Sequence, residues 1–165
     1  MVRSKIFQPV FLVLAATLLT AVWARENTPG PADAVVREAR AHMLRYIALA
    51  NQEKTAIIAQ EIYETPILMI PFENPQHRVQ DSAEEFRKEF DGHLAQLKKQ
   101  NWKQFKLHRL DVRSVGKDLA FVDMHFVWLK VDGKPIGPDH RVASYVLAKK
   151  ENGWRIIAVM GNRQM

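Results

Sequence analysis

Cysteine is absent from the 165 residues. Disulfide scaffolds, thiolate nucleophiles and cysteine-ligated zinc or iron–sulfur sites are therefore excluded. There is no Gly-x-Gly or Gly-Lys-Ser/Thr run to cradle a phosphate. Neither His-x-x-x-His nor His-Glu-x-x-His occurs, so no metal and no cofactor is expected from motifs. Asn-x-Ser/Thr sequons, internal repeats and low-complexity segments are missing too. What is present is ordinary: 47% hydrophobic and 25% charged residues make one globular domain, not a disordered chain.

One long uncharged run exists, Ile6 to Trp23, led by Arg3 and Lys5. Val22-Trp23-Ala24 ends it with small or β-branched residues at the −3 and −1 positions of a cut after Ala24. The pattern is that of a secretory signal peptide over residues 1–24, the alternative being an uncleaved anchor at the short limit for a span. Its removal lowers the net charge from +6 to +4. An exported chain without cysteine fits a bacterial periplasm. Residues 25–32, with Pro29-Gly30-Pro31, read as a flexible lead-in to a single domain over 33–165.

Val36, Ala39, Met43, Tyr46, Ile47 and Ala50 recur at steps of three and four, which predicts an amphipathic helix from Asp33 to Ala50. A second helix follows from Lys54 to Tyr63, burying Ile57, Ile58 and Ile62, and Pro66 ends it. Ile67 to Ile70 reads as a short buried strand and Pro71 to Pro75 as a loop. Ser82-x-x-Glu85 is a capping box opening a third helix, with Phe86, Phe90, Leu94 and Leu97 on one face, to about Asn101.

From Phe105 the period changes to two. Strands are expected at 105–115, 119–131, 141–150 and 154–160, joined by turns at Gly116-Lys117-Asp118, Asp132-Gly133 and Glu151-Asn152-Gly153. The first strand carries a phase fault. Phe105 and Leu107 share one face while Leu110 and Val112 share the other, so a bulge near His108-Arg109 is needed.

Three stretches carry a family resemblance: Ala48–Glu53 running through Ile57 to Tyr63, Gly116–Val122, and Tyr145–Ile156 with its closing Gly-Trp-Arg-Ile. They resemble the nuclear transport factor 2-like superfamily, which includes SnoaL-like polyketide cyclases and ketosteroid isomerases. The resemblance spans about residues 33–161. It implies an α+β fold: a cone-shaped barrel of three N-terminal helices packed on a strongly curved, mainly antiparallel sheet. It also implies a pocket inside the cone and a homodimer through the outer sheet face. It leaves chemistry open, because this fold hosts isomerases, cyclases, dehydratases and non-enzymatic modules. Tyr63-Glu64-Thr65-Pro66 lacks the usual aspartate pattern of the enzymatic relatives, so steroid isomerisation is not supported.

The catalytic candidates are Asp123, His125, His93 and Tyr63. Asp123-x-His125 share a face, and a carboxylate can orient an imidazole as a general base. The pair is catalytic if that face lines the cone; the alternative is a wet or dimeric outer face with Phe121, which the cleaner apolar set Ala120, Val122, Met124, Phe126 and Trp128 on that strand favours. His93 follows Phe86 by seven residues and faces the sheet. The ligand-binding candidates are Tyr46, Tyr63, Phe90, His93, Phe126 and Trp128 on the cone wall, with phenols able to donate to a ligand oxygen. His140 at a strand start is expected at the cone mouth. The basic run from Lys98 to Arg113 suits a helix C-terminus, and no nucleic-acid partner is expected.

The leading expectation is an exported domain binding a small apolar or amphipathic molecule, without strong catalytic power. The alternatives are a SnoaL-like acid–base enzyme acting on a small carbonyl or cyclic substrate, and a protein-interaction module.

Overall fold

A computed structural model of the protein describes residues 30–70 and 77–164. The expected signal segment, most of the lead-in and the Pro71–Pro75 loop lie outside the described residues. Helix α1 spans Pro31–Asn51, beginning two residues earlier than expected, with proline in its first turn where its missing N–H costs nothing. Its buried stripe is Val35, Ala39, Met43, Tyr46 and Ala50, so Val35 replaces Val36 in the first turn. The next helix is α2, a single turn over Thr55–Ile57 that widens into a π-helical turn at Ile58–Ile62.

Strand β1 covers Tyr63–Ile70 and is longer than the expected Ile67–Ile70. Tyr63 is already extended because its backbone pairs with Ile156. Tertiary pairing, rather than Pro66, ends the helix. Only Ile67 of the expected buried run is fully enclosed, while Leu68 faces out. The three-residue strand β2, Arg78–Gln80, was not expected.

Helix α3, Ala83–Lys98, starts as predicted: Ser82 Oγ accepts from the Glu85 N–H at 3.2 Å. The returning bond from Glu85 goes to the Asp81 N–H at 3.1 Å. Strands β3 (Trp102–Val115), β4 (Leu119–Lys130), β5 (Arg141–Lys150) and β6 (Gly153–Gln164) form the meander.

The sheet order is β2-β1-β6-β5-β4-β3. All neighbours are antiparallel except β1 and β6, which run parallel. The sheet is mixed, curved and unclosed, ending at β2 and β3. Leu107 pairs with Phe126 and Arg109 with His125, so His108 is the extra, bulged residue. The bulge restores phase: Phe105, Leu107, Leu110 and Val112 all turn toward the helices. The core lies between that inner face and the helices. Its most enclosed members are Met43, Ile58, Ile62, Ile67, Val122, Leu147 and Ile156.

Glu38 ties α1 to the far hairpin, accepting from Lys149 Nζ at 2.8 Å and from Trp154 Nε1 at 2.9 Å. Those two donors hold its carboxyl below the ordinary range. The tie gives the Trp154 of the Gly-Trp-Arg-Ile stretch a structural task. Among the described residues, no helix is long and apolar enough to cross a membrane.

Candidate functional site

A cavity of about 560 Å³ opens between α1, α3 and the inner face of the sheet. Its wall is aromatic because inward positions of five elements converge there: Tyr46, Phe86, Phe90, Tyr63, Trp128 and Tyr145. Tyr46 stands edge-on to both other phenols, with ring centroids 5.7 Å from Tyr63 and 6.0 Å from Tyr145. Phe86 packs at 4.2 Å from Tyr63 and 5.8 Å from Phe90.

The three phenols are buried. Burial raises the pKa of Tyr46, and the hydroxyls of Tyr63 and Tyr145 directed at it offset part of that rise. Burial pushes Tyr63 and Tyr145 well above the ordinary tyrosine value, and the neighbouring Tyr46 adds to this. All three are neutral donors at physiological pH.

The mouth is polar. Gln80, on β2, is buried and donates its amide to Glu89 Oε2. Arg78 pairs with the other Glu89 oxygen at 3.2 Å. His93 lies one turn further along α3, at the exposed rim, its ring 5.2 Å from that of Trp128. Packing against the wall lowers its pKa, the positive charge of Arg141 lowers it further, and Glu89 opposes both. Arg141 is 7% exposed, which is rare for a guanidinium. It lies 3.9 Å over the Trp128 ring and donates to the Ile136 carbonyl at 3.2 Å.

Of the expected ligand-binding residues, Tyr46, Tyr63, Phe90, His93 and Trp128 line this cavity. Phe126 does not. It packs inside the core against Phe105 at 6.1 Å and Trp128 at 6.0 Å.

The catalytic candidates are divided between the two sheet faces. His93 and Tyr63 meet the cavity, while Asp123 and His125 occupy the outer face. The outer pair do not bond each other. Asp123 accepts from Ser144 Oγ, and His125 pairs with Asp111 at 3.0 Å and His140 at 2.9 Å. His140 is therefore on the outer face and not at the cavity mouth. Glu64, the acid after Tyr63, lies 3.9 Å from Arg155 and does not line the cavity.

Sequence reasoning missed Tyr145, Arg141, Gln80 and Glu89 as cavity residues, while Phe86 was expected on the cavity wall and is there. The alternation of Ala143, Tyr145 and Leu147 along β5 carried the signal for Tyr145. Gln80 left none, because β2 has too few residues to show a period, and Glu89 on α3 reads in the sequence as an ordinary surface acid.

The chain belongs to the NTF2-like protein family DUF6841, whose profile matches residues 37–164. No curated protein matches it. Solved structures share the fold. An NTF2-like protein with a cystatin-like fold from Novosphingobium aromaticivorans is 18% identical, with 92% of this chain and 88% of that one covered and a TM-score of 0.60. An NTF2-like protein of unknown function from Pseudomonas putida is 15% identical, covering 79% and 87%, with a TM-score of 0.62. A Xanthomonas campestris protein described as a calcium/calmodulin-dependent protein kinase II association domain is 20% identical, covering 78% and 86%, with a TM-score of 0.58. At these identities the likeness is one of fold, and function rests on the site.

Proposed function

We propose that this protein binds a small apolar or amphipathic molecule inside the cone and has no strong catalytic power of its own. The observation that carries this is the room itself. Protein interiors close-pack by default, yet about 560 Å³ stays open among six aromatic rings, within the usual range of ligand sites. The rings favour an apolar or planar body. The phenols on the cavity wall favour a ligand that brings a hydrogen-bond acceptor.

Acid–base catalysis is less well supported. Glu89 is committed to Arg78 and Gln80, and among the described residues no hydrogen bond orients the His93 ring. A general base normally needs that orientation. Export to the periplasm belongs to the same proposal and rests on residues 1–24 alone.

Native mass spectrometry of protein purified from its own host tests both parts. A retained small molecule is expected, on a chain whose mass begins after Ala24. Ala143 lines the cavity, so Ala143→Phe fills it and should abolish retention while the far-ultraviolet spectrum is kept. Host-purified protein that is empty, with a Tm unmoved by a panel of small aromatic and amphipathic acids, overturns the binding reading. A full-length mass overturns export.

A further inference from the structure

Gln80 stands where an aliphatic side chain would be ordinary. It ends the strand β2, pairs across β1 with the enclosed Ile67, and is only 7% exposed, while Arg78 and Val79 before it face solvent. It lines the aromatic cavity beside Glu89. Its amide can face only one way. Glu89, ion-paired with Arg78, presents oxygens that accept, so Nε2 is the Gln80 atom that donates to Oε2. Oε1 is thereby turned away from Glu89, and it is buried with no hydrogen-bond partner.

Trp128 supplies the complementary lack. It lines the same wall, with the His93 ring against it at 5.2 Å, one helical turn after Glu89 on α3. Its Nε1–H can only donate, is buried, and meets no acceptor. The wall thus holds an acceptor without a donor and a donor without an acceptor. Buried polar groups in native proteins are overwhelmingly paired, and an orphan on the wall of an open cavity points to what fills that cavity. The phenol hydroxyls can donate or accept. The Gln80 carbonyl can take only a donor.

We propose that the molecule bound in the cone carries a hydroxyl, whose hydrogen goes to Gln80 Oε1, and a second oxygen that accepts from Trp128 Nε1. This rests on the reading of the cavity as a ligand site and names the class: hydroxylated aromatic or amphipathic molecules. A ligand of the same shape without the hydroxyl leaves the Gln80 carbonyl desolvated and unpaired. That is how a polar site rejects a near-isostere that merely lacks one O–H. Glu89 gains a positioning role, because its bond fixes which end of the Gln80 amide is left for the ligand.

Calorimetric titration of the purified protein with cinnamic acid and with ortho-, meta- and para-coumaric acid tests this. These share one planar body and one carboxylate, and differ only in the presence and place of a hydroxyl. At least one coumaric acid should bind the wild type about tenfold tighter than cinnamic acid. Gln80→Met keeps the side-chain length without the amide and should bring that isomer to within about twofold of cinnamic acid, whose own affinity stays unchanged. Glu89→Gln, at an exposed position of α3, removes the reason for a single amide orientation and should shrink the preference without disturbing the fold. Trp128→Phe should weaken both kinds of acid alike and leave their ratio. Cinnamic acid bound with no preference for any coumaric isomer, or a preference undiminished in both Gln80→Met and Glu89→Gln, overturns the hydroxyl assignment while the cavity reading stands. No binding of any of these acids, by a protein that is also empty when purified from its host, overturns both.

Discussion

Single residues decide how the β4–β5 loop is held. Gly137 has a φ of +70°, and a Cβ there would stand 2.5 Å from Arg141 Nη2. That guanidinium has little freedom to move, because it stacks on Trp128 and bonds Ile136. Gly137→Ala combines left-handed strain with this clash and should cost roughly 1–2 kcal/mol, a Tm lowered by about 3–8 °C. Gly92 offers the opposite case. It lies inside α3 with open space where a Cβ would sit, so Gly92→Ala should stabilise by about 0.5–1 kcal/mol. Differential scanning calorimetry of the two variants should show opposite signs.

At the scale of elements, one amide clamps the end of α1 to β3. Asn51 donates Nδ2–H to the Phe105 carbonyl at 3.0 Å and accepts the Phe105 N–H at 2.7 Å, so the helix end caps an edge strand. Asn51→Ala should cost about 1–3 kcal/mol, read as a lower urea midpoint, because two part-buried backbone groups lose their partner. Asn51→Asp keeps only the accepting half and should fall between. In the sequence Asn51 is legible only as a break in helical period. Its partner is 54 residues away, and no local pattern carries that distance. The β3 bulge is the contrary case. Its phase fault is written in the order of Phe105, Leu107, Leu110 and Val112, and His108 is the residue that corrects it.

For the molecule as a whole, the tyrosine trio couples pH to stability. Tyr46, Tyr63 and Tyr145 are all the tyrosines of the chain, and they join α1, β1 and β5. Each has a folded pKa raised above the ordinary tyrosine value of 10.0. The unfolded chain therefore releases these protons first, so their stabilising effect is complete below pH 10.0 and is lost as pH rises beyond it. In an alkaline titration, tyrosinate absorbance should rise in one cooperative step that coincides with loss of the far-ultraviolet signal. A gradual rise centred on pH 10.0 with the fold intact would show that the phenols are not enclosed together.

By itself the sequence determined most of the α1 stripe, the capping box of α3, the order and turns of the four-strand meander, and the inward set on β4, while β3 and β6 run longer than their apolar alternation. These follow from periods of 3.6 and 2 and from local hydrogen-bonding chemistry, which act over a few residues. Only the tertiary structure decided the parallel pairing of β1 with β6, the edge strand β2 and the division of His93 from His125 between the two sheet faces. It also decided that the three tyrosines share one cavity and that His108, His125 and His140 share one patch. These juxtapositions depend on strand order and bulge placement, and the contacts that enforce them join residues far apart in the chain.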